Sequence, residues 1–89
     1  MRTIGDQSSK TALQLSAVRY LARSGEARRL RLLSDLTQAD IARSVGVSVA
    51  TVSCWESGKY RPTGPAALHY GRLLNALGAL HRGDDGDAG

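Results

Sequence analysis

The sequence predicts an all-α fold: a compact bundle of about five helices built around two short helices joined by a tight turn. Three observations carry that expectation. Helix-favouring Ala, Leu and Arg dominate the 89 residues, and no stretch alternates apolar with polar residues as a half-buried strand does. Residues 36–62 hold two sets of helix start and stop signals in close succession. The hydrophobic fraction is 42% with no Phe, so the core has to come from Leu, Val, Ala, Ile, one Trp and three Tyr. That suffices for one small domain.

In chain order, residues 1–8 read as a flexible N-terminal arm carrying Arg2, followed by a domain at residues 9–80. Ser8 or Ser9 can cap a helix that runs to about Ser24, where Gly25 ends it. On a helical wheel Leu13, Leu15, Ala17, Val18, Tyr20, Leu21 and Ala22 cover roughly 220° of its circumference, against the ~100° that a one-sided surface helix needs. Such a helix either lies in a groove of its own domain or gives part of its face to another subunit. Residues 26–35, EARRLRLLSD, form the next helix, with Leu30 and Leu33 inward and Glu26 at the positive end of the helix dipole. Arg28 and Arg29 read as a solvated face.

The stretch LTQADIARSVGVSVATVSCWESGKYRP, residues 36–62, organises the rest. Thr37 and Asp40 make an acidic capping box, and Ile41, Ala42 and Val45 fall on one helical face. Gly46 stands where a left-handed residue stops the helix. Ser48 caps a second helix with Val52 and Trp55 inward; Gly58 closes it and Pro62 bars extension. Two helices of about two turns with a short Gly-containing turn between them are a helix-turn-helix unit. Beyond it, Gly64 and Pro65 start a last helix over residues 66–80, with Ala67, Tyr70, Leu73, Leu74, Leu77 and Leu80 as one apolar arc. Gly71 and Gly78 lie at the edge of that arc. A Gly inside a helix costs about 1 kcal/mol against Ala, so the pair either admits a close neighbour or is simply tolerated. Residues 81–89, HRGDDGDAG, read as a disordered acidic tail.

The three segments LTQADIA, VGVS and TVSCWESGKYRP, in register over about 27 residues, resemble the lambda repressor and Cro-like group of helix-turn-helix DNA-binding proteins. The resemblance implies a second helix, residues 48–57, lying in the major groove. It implies base contacts from Val49, Ala50 and Cys54, and a phosphate contact from Gln38. Lys59, Tyr60 and Arg61 fall in the loop with which relatives hold the DNA backbone. It also implies an ion pair between Arg31 and Glu56. The helical wheel turns Ala50, Ser53, Cys54 and Ser57 away from Val52, which adds Ser53 to the base-contact candidates. The Thr51 hydroxyl and the Arg43 cation are further candidates for phosphate. Many relatives carry Gln, Arg or Lys on this helix. Val, Ala and Cys lack the paired donors and acceptors that identify guanine or adenine, but can touch a thymine methyl. Arg2 is then a candidate for a minor groove.

The charge balance suits such a partner. Net charge is +4, and the final nine residues hold one Arg against three Asp, leaving eleven basic and five acidic residues in the first 80. His69, His81 and Cys54 show no zinc-site spacing, no phosphate-binding glycine loop is present, and neither a cofactor nor enzymatic activity is expected. One Cys cannot form an internal disulfide, and no apolar run approaches a membrane span or a leader sequence, so a soluble cytoplasmic protein is expected. The reading is a sequence-specific regulator binding a double-stranded DNA operator, a phage or bacterial repressor acting as a homodimer. The alternative is an antitoxin-type or protein-interaction module with its partner on the first helix, Leu68 or the Ala67, Gly71, Gly78 face.

Overall fold

Five helices follow one another in the computed structural model: α1 (Arg2–Arg23), α2 (Glu26–Leu33), α3 (Gln38–Val45), α4 (Val49–Ser57) and α5 (Gly64–Ala88). The structure describes the backbone of residues 2–88 and the side chains of residues 9–82. The side chain of Arg2 and those of Asp84, Asp85 and Asp87 lie outside the described residues. Two helix limits differ from expectation: α1 begins before Ser8, and α5 continues past Leu80. A formed helix extends at one hydrogen bond per added residue, so weak formers at its ends are carried along more readily than they nucleate.

Local chemistry sets the other boundaries. Gly25 turns α1 into α2 at φ 90, where a Cβ is disfavoured. Asp35, at φ 58, makes the corresponding turn between α2 and α3, and a short polar side chain tolerates that conformation better than most. The Thr37–Asp40 capping box is complete: Asp40 N–H donates to Thr37 Oγ1 at 3.0 Å, and Thr37 N–H donates to Asp40 Oδ2 at 2.9 Å. The bond from the Thr37 N–H, followed by the Thr37 side chain, holds the Asp40 carboxyl below its ordinary range. Left-handed Gly46 and Gly58 end α3 and α4.

Each helix contributes to one core. α5 supplies Ala67, Tyr70, Leu74 and Leu77; α1 adds Val18 and Ala22; α2 adds Ala27 and Leu30. Ile41, Ala42 and Val45 of α3 and Val52 and Trp55 of α4 complete it. The Trp55 and Tyr70 rings stack with centroids 4.6 Å apart, fixing α4 on α5. Leu33 and Leu80, expected inward, are 50% and 60% exposed. Leu33 borders a groove shared with Leu74, Gly78 and His81 of α5, so α5 runs beside it without closing over it. Periodicity reports a face and not how completely a neighbour covers it.

The broad apolar arc of α1 divides in two. Val18 and Ala22 are buried, with Leu15 and Leu21 packed beside them, whereas Leu13, Ala17 and Tyr20 remain exposed. The glycine stripe on α5 is only partly open. Ala67 is fully buried, and a Cβ on Gly71 would meet Val18 Cβ at 3.4 Å. Gly71 lets α1 approach α5 closely within the same chain, which takes up part of the expected partner-binding face, while an open groove between the two helices still borders Leu68 and Gly71.

Candidate nucleic-acid interface

The α3–α4 pair is held from beneath. Arg31 of α2 reaches under it and donates twice to Glu56 of α4, Nε to Oε2 at 2.6 Å and Nη2 to Oε1 at 2.9 Å. The remaining terminal nitrogen donates to the Leu36 carbonyl at 3.0 Å, tying down the α2–α3 turn as well. The two side chains are 9% and 4% exposed, so this is a buried, bidentate pair rather than a surface one. Burial alone would push the Glu56 carboxyl up. Hydrogen bonds from Arg31 and Gln38, aided by the charges of Arg31 and Arg28, outweigh it and hold the group below its ordinary value. The bond to Glu56 likewise raises the Arg31 value.

Gln38, the first residue of α3, is part of this arrangement. Its Nε2 donates to Glu56 Oε1 at 3.1 Å, an assignment the chemistry fixes because an ionised carboxylate only accepts. One amide N–H and the amide oxygen remain for another partner. The bond holds Gln38 half-buried at the N-terminal end of α3, where free N–H groups favour an anion. Sequence reasoning missed this link, although Gln38 stands one residue inside the Thr37 cap and faces the same carboxylate.

α4 presents two unlike faces. Inward lie Val52 at 0% exposure and Trp55 at 5%. Outward, Val49, Ala50, Ser53 and Ser57 are exposed, with Cys54 half-buried beside them. Ser48 caps the helix by accepting from Thr51 N–H at 3.1 Å, and its hydroxyl lies 2.9 Å from the Thr51 hydroxyl. Thr51 is therefore engaged locally and half-buried. Arg43 is exposed and pairs with Asp40 at 2.9 Å, the i,i+3 neighbour on its own helix. The loop after α4 exposes Lys59, Tyr60 and Arg61, with the Lys59 ammonium 5.7 Å from the Tyr60 ring centre. The arrangement is a short helix with a small, neutral outer face, flanked by an amide at one side and a cationic loop at the other.

The sequence profile of the helix-turn-helix family matches residues 28–78, covering α3 and α4 entire and the greater part of α2. The chain belongs to this family. It is a DNA-binding regulator of the Cro/C1 type, with double-stranded DNA as its partner; the family is generally not enzymatic. No curated protein and no solved structure matches the chain. Among the described residues no helix is long and apolar enough to cross a membrane. No group of three His, Cys, Asp or Glu side chains there could hold a metal ion. The helix-turn-helix match leaves out α1, which nevertheless packs on α5, α2 and α4.

Proposed function

We propose that this helix-turn-helix protein is a repressor of phage or bacterial type that binds its operator as a homodimer, with α4 in the major groove. The observation that carries this reading is the outward set Val49, Ala50, Ser53 and Cys54, placed between half-buried Gln38 and the exposed Lys59, Tyr60 and Arg61. Gln38 and the loop hold phosphates on either side. Val49 and Ala50 then lie against base edges, where their chemistry favours thymine methyl groups. Thr51 and Arg43 are supporting backbone contacts, each already committed to a neighbour. With no bidentate side chain on α4, more of the specificity comes from DNA shape.

Two-fold pairing doubles the number of base pairs read. The exposed Leu13, Ala17 and Tyr20 of α1 offer an apolar surface to a second copy. Replacing thymine by uracil in a selected site removes only the methyl group. It should cost on the order of 1 kcal/mol at the contacted positions. Uracil accepted everywhere without loss, together with normal binding by Val49→Ala and Cys54→Ala, would refute the assignment of these bases to α4. A symmetric selected sequence is expected for the dimer. An asymmetric one bound by a single chain would remove it.

A further inference from the structure

The helix outside the family match brings two arginines to the side of the DNA-facing loop. Between the end of α1 and the segment following α4 lies a notch of about 210 Å³, lined by Arg19, Ala22, Arg23, Trp55, Gly58, Tyr60, Arg61 and Pro62. Three guanidinium side chains line it and no carboxylate does. Arg19 serves as its hinge: Nε donates to the Pro62 carbonyl at 2.8 Å, fastening the loop to α1. Arg23, four residues on, is exposed, and its guanidinium carbon sits 5.5 Å from the centre of the Tyr20 ring, which limits its wandering. Among the described residues neither Arg23 nor Arg61 is paired with a carboxylate. Like charges left unneutralised around one concavity repel each other, and the arrangement is relieved when an anion enters.

The volume is several times the ~30 Å³ that a water molecule occupies in the liquid, so a phosphate group enters with part of its hydration. The notch also shares Tyr60 and Arg61 with the loop that follows the DNA-reading helix, which makes it continuous with that surface. We propose that it takes a backbone phosphodiester of the bound DNA duplex. Arg23 provides a contact from α1 that the helix-turn-helix unit itself does not supply, and Arg19 acts as a positioning residue for the loop. This inference rests on the DNA-binding reading of α4 and its flanks, and adds α1 to that footprint.

Affinity for a duplex, measured across salt concentrations with wild type, Arg23→Ala, Arg23→Lys and the exposed control Arg82→Ala, tests it. Arg82 lines a different groove, to which α3 and α4 contribute nothing. Loss of one phosphate contact lowers the slope of log K against log salt by about 0.9. The affinity gap between wild type and Arg23→Ala should therefore shrink about threefold to fourfold as salt rises from about 50 mM to about 200 mM. Arg23→Lys should keep the wild-type slope and Arg82→Ala should match wild type. Replacing phosphates one at a time by neutral methylphosphonates should reveal a position that weakens wild type but not Arg23→Ala. If wild type binds DNA with a steep slope and Arg23→Ala matches it throughout, α1 is not on the backbone and the inference fails alone. If wild type itself shows no salt-dependent DNA binding, the underlying reading falls with it.

Discussion

α4 and α1 divide their side chains in opposite ways. α4 turns its larger groups inward, Val52, Trp55 and Glu56, and leaves mainly small ones outside. α1 buries Val18 and Ala22, approaches α5 closely at Gly71, and leaves Leu13, Tyr20 and Arg23 exposed. The difference separates two tasks. A helix that must sit at a fixed depth in a groove needs an inner face that specifies one position. Stacked rings and a bidentate ion pair do that better than interchangeable aliphatic contacts. A helix that braces the bundle can dock over small residues at close range and keep its larger side chains for other surfaces.

The largest expected effect comes from breaking the inner face of the helix-turn-helix unit. Arg31→Ala leaves Glu56 buried without its cation, a loss of about 3–5 kcal/mol of stability, whereas Arg72→Ala on the exposed side of α5 should cost little. Denaturant unfolding of the two variants decides it; equal losses would show that the ion pair does not hold α4. The same pair gives a pH dependence. Glu56 has a folded-state value below its ordinary 4.5, so its contribution is fully present above that pH and declines as pH falls through the lower, folded-state value. In Arg31→Ala the depression should vanish, and acid should destabilise the variant less than it does wild type.

A smaller effect is expected at the flanks of α4. Gln38→Ala, Lys59→Ala and Arg61→Ala should each weaken specific and nonspecific binding alike. Only the two cationic changes should flatten the salt dependence, each by about 0.9 in slope, or about eightfold in affinity over a tenfold change in salt. A cationic substitution that altered base preference with an intact slope would move that residue from the backbone to the bases. Gln38→Ala should also lower stability, because it removes a hydrogen bond to a buried carboxylate.

The smallest effect concerns how α1 docks. A Cβ at Gly71 meets Val18 at 3.4 Å, an ordinary contact, so Gly71→Ala should be neutral or stabilising by up to about 1 kcal/mol through helix propensity. Gly71→Leu sets a branched side chain against Val18 Cβ and Cγ2 and should loosen α1, lowering the melting temperature. If Gly71→Leu is as stable as Gly71→Ala, α1 does not pack there.

What was legible in the sequence followed the range of the interactions involved. Thr37, Asp40, Gly46, Ser48 and Gly58 act on neighbours one to five residues away, so they marked both short helices and the turn between them. The inward positions of those helices followed from spacing for the same reason. Long-range outcomes were hidden. Nothing local distinguishes Leu30, which is buried, from Leu33, which stays half exposed. Gly71 signalled a close approach without naming α1 as the helix that makes it. The Arg19 bond to the Pro62 carbonyl spans 43 residues of sequence and left no trace beyond two arginines four apart, outside the apolar arc of α1. The pairing of Arg31 with Glu56 was suggested by the family resemblance, since periodicity alone would have left Arg31 in a solvated cluster with Arg28 and Arg29.

The central claim is that the outer face of α4 lies against base edges while its flanks hold the backbone. An Ala50→Gln variant tests it most directly, because Ala50 is exposed and Gln brings the donor and acceptor pair that recognises adenine. Sites selected by wild type and by Ala50→Gln from one random duplex pool should differ at one or two positions per half-site. Those positions should shift toward adenine, with an unchanged salt slope. Identical selected sequences from the two proteins, at undiminished affinity, would contradict the placement of α4 in the major groove.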